Sequence, residues 1–244
     1  MEISQDLLQI AKSSGFRIST DTRQDVKGTL FFALKGATFD GGTFVAKALE
    51  QGALAVVTEN KLVTGDNIFI VDDVLKTLQN LAAAYRETLP LPIIAIGGSN
   101  GKTTTRELVY SVLEKKFRVH SSKGNLNNHI GLPLSVLATP QDAEITVFEI
   151  GANHPGEHLL LLEILRPTHV LVTNNGLDHL EGFGSPEGVR KANAEIYEWA
   201  RAHGAHAFVN QGHTDLLADS EALERSIYRV GAPVETQLIG NYNF

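Results

Sequence analysis

From residue 93 onward, short apolar runs alternate with helical patterns, and that alternation constrains the fold more than any other feature of the chain. The runs are "IIAIG" (93–97), "FRVHSS" (117–122), "ITVFEIG" (145–151), "HVLVTN" (169–174) and "HAFVN" (206–210). Helical stretches at roughly 102–117, 156–165, 186–203 and 213–224 lie between most of them. Near-continuous apolar strands are buried on both faces, and parallel neighbours need crossover connections. The expected architecture is therefore α/β, with a mostly parallel sheet covered by helices. No internal repeat, low-complexity tract or coiled-coil heptad is visible.

The first third mixes shorter elements. "SQDLLQIAKSSG" spaces Leu7, Leu8, Ile10 and Ala11 as a helix, with Gly15 as its stop. "TLFFALKG", "ALAVVTE" and "NIFIV" read as strands, and "TFVAKALEQG" as a helix between the first two. "DDVLKTLQNLAAAYRETL" then places Leu75, Leu78, Leu81, Ala82 and Tyr85 on one helical face. The prolines of "LPLP" favour an extended segment that no helix crosses. The expected division is a small mixed α/β N-terminal domain, residues 1–89, followed by a P-loop-type central domain, residues 90–244.

Composition narrows the function. A chain of 244 residues can bury the cores of two domains. Its apolar stretches fall well short of the ~20 residues of a membrane span. The start "MEISQDLLQIAKSSG" lacks the basic-then-apolar pattern of a signal peptide. No cysteine is present, which excludes disulfides, thiolate metal sites and a cysteine nucleophile. A formal charge of −7 with scattered Lys and Arg argues against a nucleic-acid surface. A cytoplasmic protein without membrane insertion fits these features.

The stretch "GGSNGKTTT" (97–105) sits between the strand "IIAI" and a helical run. Glycines at such a junction let backbone N–H groups turn inward, and the helix N-terminus adds positive potential. Lys102 can reach terminal phosphates and the Thr103 hydroxyl can hold Mg²⁺. The full phosphate-loop pattern would have glycine at position 96, where this chain has Ile96; the shorter G-x-x-G-K-T, Gly98 to Thr103, remains. At an arbitrary position such letters would be a glycine-rich turn with a solvated lysine. Here the helical run behind them sets Leu108, Val112 and Leu113 on one face, and the context favours a nucleotide site. "ITVFEIG" ends in Glu149, a carboxylate at the C-terminal edge of a parallel strand, where such sheets bind ligands. Alone it would be a solvated or paired acid; beside a phosphate loop it suits Mg²⁺.

These stretches together resemble the Mur ligase family. The segments that carry the resemblance are "STDTR" (19–23), "LFFALKG" (30–36), "FDGGTF" (39–44), "GSNGKTTT" (98–105), "GNLNNHIGLP" (124–133), "EIGANHPGE" (149–157) and "DHLEGFGS" (178–185). "GNLNNHIGLP" and "HLEGFGS" are the specific ones, and they point to the branch that adds D-Ala-D-Ala to UDP-MurNAc-tripeptide. The resemblance implies an ATP- and Mg²⁺-dependent ligase of peptidoglycan precursor synthesis, monomeric and cytoplasmic. In such an enzyme the tripeptide carboxylate takes the γ-phosphate, and the amine of D-Ala-D-Ala displaces it.

By position, the resemblance implies ATP contacts from Gly98, Ser99, Asn100, Gly101, Lys102, Thr103, Thr104 and Asn243. It implies that Thr20, Asp21, Thr22 and Arg23 hold the uridine diphosphate, for which an arginine fork is well shaped. Without the family, "TDTR" would be an ordinary polar turn. Asn125, Asn127 and Asn128 would lie near the muramyl-peptide, although asparagine-rich loops also satisfy their own backbone. Glu149 and His179 would bind metal together with Thr103, and Lys102, Glu149, His179 and position 193 would form the catalytic set. His129, His154 and His158 are expected to be surface or loop histidines.

Three positions depart from the family pattern. Asn193 stands where the resemblance implies a carbamylated lysine; Lys191, two residues away, points in another direction on a helix. Gly42 stands where the family often has histidine. The sequence stops at "LIGNYNF", after a short approach "RVGAPVETQLIG" and before the second asparagine of the adenine-contacting stretch. On the resemblance, the third domain is absent and residues 1–244 alone are expected to hydrolyse ATP slowly at most. Two further readings stay open: a non-catalytic remnant that binds nucleotide or UDP-sugar, and a simple P-loop kinase or ATPase.

Overall fold

Two parallel sheets follow from the apolar runs. The computed structural model describes residues 4–36, 38–176 and 180–229. The first part contains α1 (Gln5–Ser13), β1 (Ile18–Ser19), β2 (Leu30–Phe32), α2 (Val45–Glu50), β3 (Ala55–Thr58), β4 (Ile68–Ile70) and α3 (Val74–Glu87). Its strands lie in the order β1-β2-β3-β4, all parallel. The remainder contains β5 (Ile93–Gly97), α4 (Lys102–Leu113), β6 (Val119–Ser121), α5 (Gly131–Leu137), β7 (Ile145–Glu149), α6 (Glu157–Leu165) and β8 (His169–Val172). It ends with α7 (Leu180–Phe183), α8 (Pro186–His203), β9 (His206–Asn210), α9 (Thr214–Asp219) and β10 (Arg225–Tyr228). These strands form a second parallel sheet in the order β10-β9-β8-β5-β7-β6.

Strand alternation sorts the core into layers. In β2, Leu30 and Phe32 face a core shared with Leu7 and Ala11 of α1, whereas Phe31 faces Val45 and Ala48 of α2. In β5, Ile93 and Ala95 join the same large core as β2, while Ile96 turns to the opposite face with Val147 and Leu171. One apolar core thus runs beneath both sheets. Helix α3 crosses between them, started by the Asp73 side chain, which accepts from the Lys76 N–H. It buries Leu78, Leu81, Ala82 and Tyr85. Tyr85 donates its hydroxyl to the Thr139 carbonyl at 2.6 Å, and Arg86 Nε donates to the Leu165 carbonyl at 2.7 Å. Buried, hydrogen-bonded polar contacts of this kind fix the two sheets in one relation.

Several details differ from expectation. Of the expected face of α4, Leu113 packs on the sheet, joined by Val109, but Leu108 and Val112 are exposed, and the buried residue of that helix is Arg106. A charged residue inside an apolar face defeats a periodicity argument. The edge strands β1 and β10 carry too few apolar residues to announce themselves, and the seven-residue α5 is masked by Gly131 and Pro133 in its first turn. The helix expected at 213–224 is confined to Thr214–Asp219. His158 is not a surface histidine: it is buried in α6, where its Nδ1 lies 2.9 Å from the Ala192 carbonyl. Among the described residues no helix is long and apolar enough to cross a membrane.

Candidate functional site

The C-terminal end of β5 lies where the chain's connections diverge. From β5 the chain goes through β6 to β7 on one side, then crosses to β8, β9 and β10 on the other. Crevices at such switch points receive ligands in parallel sheets. Here the crevice is filled by the 98–101 loop. Gly98 has φ +108°, and a Cβ there would stand 2.4 Å from Thr173 Oγ1, so glycine is required twice over. Gly101, at φ +78°, caps α4.

The loop is clamped from β8. Ser99 N–H donates to the Asn174 carbonyl at 3.0 Å, and the Asn174 side chain exchanges bonds with Asn100 N–H and C=O at 3.2 and 3.0 Å. Asn174 is a contributor that sequence reasoning missed, since an asparagine pair after a strand carries no motif. Lys102 Nζ donates to the Gly98 and Ser99 carbonyls at 2.7 and 2.9 Å, which ties the ammonium to the loop mouth.

Glu149 is the centre of the site. Its side chain is 3% exposed. Thr103 Oγ1 donates to Oε2 at 2.8 Å, and Asn127 Nδ2 donates to Oε1 at 2.6 Å. Arg106 NH1 lies 3.4 Å from Oε2. Asn128 does something different: its Oδ1 accepts from the Ile130 and Gly131 N–H groups at 3.1 and 2.8 Å, in the turn that leads into α5. Asn125 and Thr104 are exposed.

Whether a phosphate and Mg²⁺ fit can be judged from these atoms. Ser99 Oγ is buried in the loop without a hydrogen-bond partner, an orphan that a ligand oxygen would satisfy. The Thr103 hydroxyl and Glu149 carboxylate are hard oxygens side by side, the donor type Mg²⁺ takes. The residues fit. Among the described residues no group of three or more His, Cys, Asp or Glu is set to hold a metal; His179, the expected third ligand, lies outside the described residues, as does Asn243.

Asn193 is buried on α8 and donates to Asn175 Oδ1 at 2.9 Å; Asn175 in turn donates to Asp215 Oδ2 at 2.6 Å. Its side chain therefore faces the segment after β8 that clamps the loop, while Lys191 is exposed.

The "STDTR" residues gather elsewhere. Thr20, Asp21, Thr22 and Arg23 line a cavity of 480 Å³ with Phe31, Phe39, Phe44 and Lys47. Arg23 NH2 donates to Asp21 Oδ2 at 2.7 Å while remaining 86% exposed. That side-chain bond is the main reason the Asp21 carboxyl is held down to about 2. A separate cleft of 910 Å³ has Thr20 on one wall and Leu126 and Leu134 on the other, so it runs between the two groups of residues.

Comparison with known proteins bears on this arrangement. Residues 17–91 match the Mur ligase family catalytic domain, and residues 96–242 match the Mur ligase middle domain. The chain belongs to the Mur ligase family. Among Mur ligases, it is 39% identical over 224 residues to the UDP-N-acetylmuramoyl-tripeptide–D-alanyl-D-alanine ligase of Bacillus subtilis, covering 91% of this chain and 49% of that one. MurF of Acinetobacter baumannii superposes with a TM-score of 0.80 at 30% identity, over 91% of this chain and 52% of the other. MurF of Thermotoga maritima, solved in complex with ADP, gives 0.80 at 34% identity, over 87% and 49%. The chain spans about half the length of the Mur ligases it matches.

Proposed function

We propose that this chain supplies the nucleotide and UDP-sugar sites of an ATP-dependent ligase that joins D-Ala-D-Ala to UDP-MurNAc-tripeptide. The observation that carries the reading is Glu149, whose two oxygens receive Thr103 of the phosphate loop and Asn127 of "GNLNNHIGLP". A general ATPase site would need the first contact only. The second brings the family-specific segment onto the same carboxylate. The named activity of the Bacillus subtilis relative supports the same assignment. In this reading residues 1–89 hold the UDP-sugar and residues 90–244 the ATP, as a monomer in the cytoplasm.

The chemistry asks for two anions to meet. A carboxylate oxygen of the tripeptide attacks the γ-phosphorus, and the bond to ADP breaks. The amine of D-Ala-D-Ala then attacks the resulting acyl phosphate, loses a proton, and phosphate leaves. Lys102 at the loop mouth would neutralise the transferring group, and the loop N–H groups would hold it in line. Thr103 and Glu149 would hold Mg²⁺, which would supply positive charge against the phosphates. Asn127 would keep Glu149 aimed at that position.

Asn193 favours a second reading, binding without ligation. Its amide is neutral and already engaged by Asn175, where the resemblance implies a carbamylated lysine. Separate calorimetric titrations with Mg²⁺–ATP and with UDP-MurNAc-tripeptide test the assignment. Binding of both carries it, and mass detection of the pentapeptide product then separates ligation from binding. Binding of ATP alone would leave a P-loop ATPase, and binding of neither would reject both sites.

A further inference from the structure

Among the described residues, Arg106 is the largest fully buried side chain. It lies three residues after Thr103 on α4, and residues at that spacing share a helical face. Its guanidinium touches the 122–124 segment, the end of β7 and its own helix. NH1 donates to the Gly124 carbonyl at 2.7 Å and leans on Ser122 Oγ and Glu149 Oε2, both at 3.4 Å. NH2 donates to Glu107 Oε1 at 2.5 Å. Ser122 Oγ also receives the Glu149 N–H at 3.4 Å.

The distances decide what this cation does. Tight charge-assisted bonds span about 2.7–2.9 Å. Arg106 makes such bonds to Gly124 but not to Glu149. It is anchored on the Gly124 carbonyl and on Glu107 of its own helix, and it sets its positive charge 3.4 Å from Oε2, the same Glu149 oxygen that receives the Thr103 hydroxyl at 2.8 Å. A carboxylate buried with no cation nearby would be strongly disfavoured. The nearby guanidinium offsets that cost and holds the Glu149 carboxylate in place.

We propose that Arg106 is the positioning residue of the metal-linked half of the nucleotide site: it aims Glu149 at Thr103 and fastens the 122–128 segment that brings Asn127 to the same carboxylate. This rests on the nucleotide reading above. Arginine is required for the task, because one planar fork serves Gly124, Glu107 and Glu149 together and a lysine ammonium lacks that geometry.

The test uses the whole chain with Arg106→Lys, Arg106→Met, Glu149→Gln and the double variant Arg106→Met/Glu149→Gln. ATP affinity is measured with Mg²⁺ and again in EDTA, and the ratio is the gain due to the metal. Arg106→Lys should cut that gain about tenfold, within the coupling seen between residues in contact, while the EDTA affinity stays within about twofold. The double variant should be no worse than the weaker single one. A lysine variant with the parent's full gain overturns the proposal. So does an equal loss with and without metal, which is the signature of a purely structural role. Should Arg106→Met fail to fold, Arg106→Lys decides. A parent that binds no ATP at all would instead sink the nucleotide reading, and this proposal with it.

Discussion

Thr103 and Glu149 are 46 residues apart, yet the hydroxyl of one donates to the carboxylate of the other at 2.8 Å. Strand register brings them together. Ile96 of β5 pairs with Glu149 of β7, so the carboxylate ends its strand level with the residue just before the phosphate loop. The first turn of α4 then returns over that edge and presents Thr103. A parallel pairing and a strand-to-helix turn are enough to set a hydroxyl and a carboxylate side by side next to the glycine loop.

Lys102→Ala should abolish Mg²⁺–ATP binding with little effect on folding. The ammonium holds two loop carbonyls at 2.7 and 2.9 Å, and hydrogen bonds of that kind contribute about 1 kcal/mol in net terms. Calorimetry and a thermal melt check both halves. A variant that binds ATP like the parent would refute the phosphate-loop assignment.

Gly98→Ala should be much more damaging to the fold. The residue has φ +108°, and the added Cβ would stand 2.7 Å from the Thr173 backbone nitrogen. A loss of at least about 2 kcal/mol is expected in denaturant unfolding, from strain and overlap together. An unchanged midpoint would mean that the loop relaxes freely.

The contrast between those two positions shows what was legible in the sequence. The β5–loop–α4 unit was readable because an apolar run, glycines and a helix follow one another locally. The parallel sheet was readable for the same reason. Arg106, Asn174 and Asn175 were not, since each is a single polar residue whose role depends on a partner brought in by the fold. Arg106 even reversed the reading of its helix: Leu108 and Val112 are outside and the cation is inside. Asn127 and Asn128, adjacent and chemically identical, do separate jobs, one on Glu149 and one holding the turn before α5. Only the path of the backbone distinguishes them.

Arg23→Ala should weaken UDP-MurNAc-tripeptide binding by about tenfold or more, the scale of a lost charge-assisted contact, and leave ATP binding unchanged. The motivation is the Arg23–Asp21 pair in the cavity of the first sheet, remote in the chain from the phosphate loop. The same change removes the main cause of the low Asp21 pKa, so that carboxyl should titrate upward from about 2. Carboxyl chemical shifts followed against pH would report it. Equal losses for both ligands would indicate misfolding.

Asn193→Lys tests whether that position can be returned to carbamate chemistry. The new amine would lose the bond to Asn175 Oδ1 and face the loop clamp. If the site tolerates it, Mg²⁺–ATP affinity should rise with added bicarbonate, because carbamate formation consumes CO₂. Affinity indifferent to bicarbonate would show that the site works through the asparagine amide or not at all.

Stability should fall as pH drops below about 6.5, the ordinary histidine value, and His120 should carry part of that slope. Burial lowers the His120 pKa, opposed by its contact with the Ser135 carbonyl at 3.0 Å and reinforced by Lys123. With the folded value depressed, the unfolded chain binds more protons between the two pKa values. Stability therefore rises with pH through that window and is lost as pH falls. The slope per group cannot exceed about 1.4 kcal/mol per pH unit. His169, also lowered chiefly by burial and then by His206, acts in the same direction, so one substitution should flatten the profile without abolishing it. Asp21 belongs to a separate window: its folded pKa of about 2 lies below the unfolded value, so its effect is lost only at much lower pH. Urea unfolding of His120→Gln and of the parent, compared across about pH 5.5 to 7.5, would measure the difference. Gln keeps a donor for Ser135 and cannot titrate, so an identical slope in both proteins would exclude His120 as a source of the acid sensitivity.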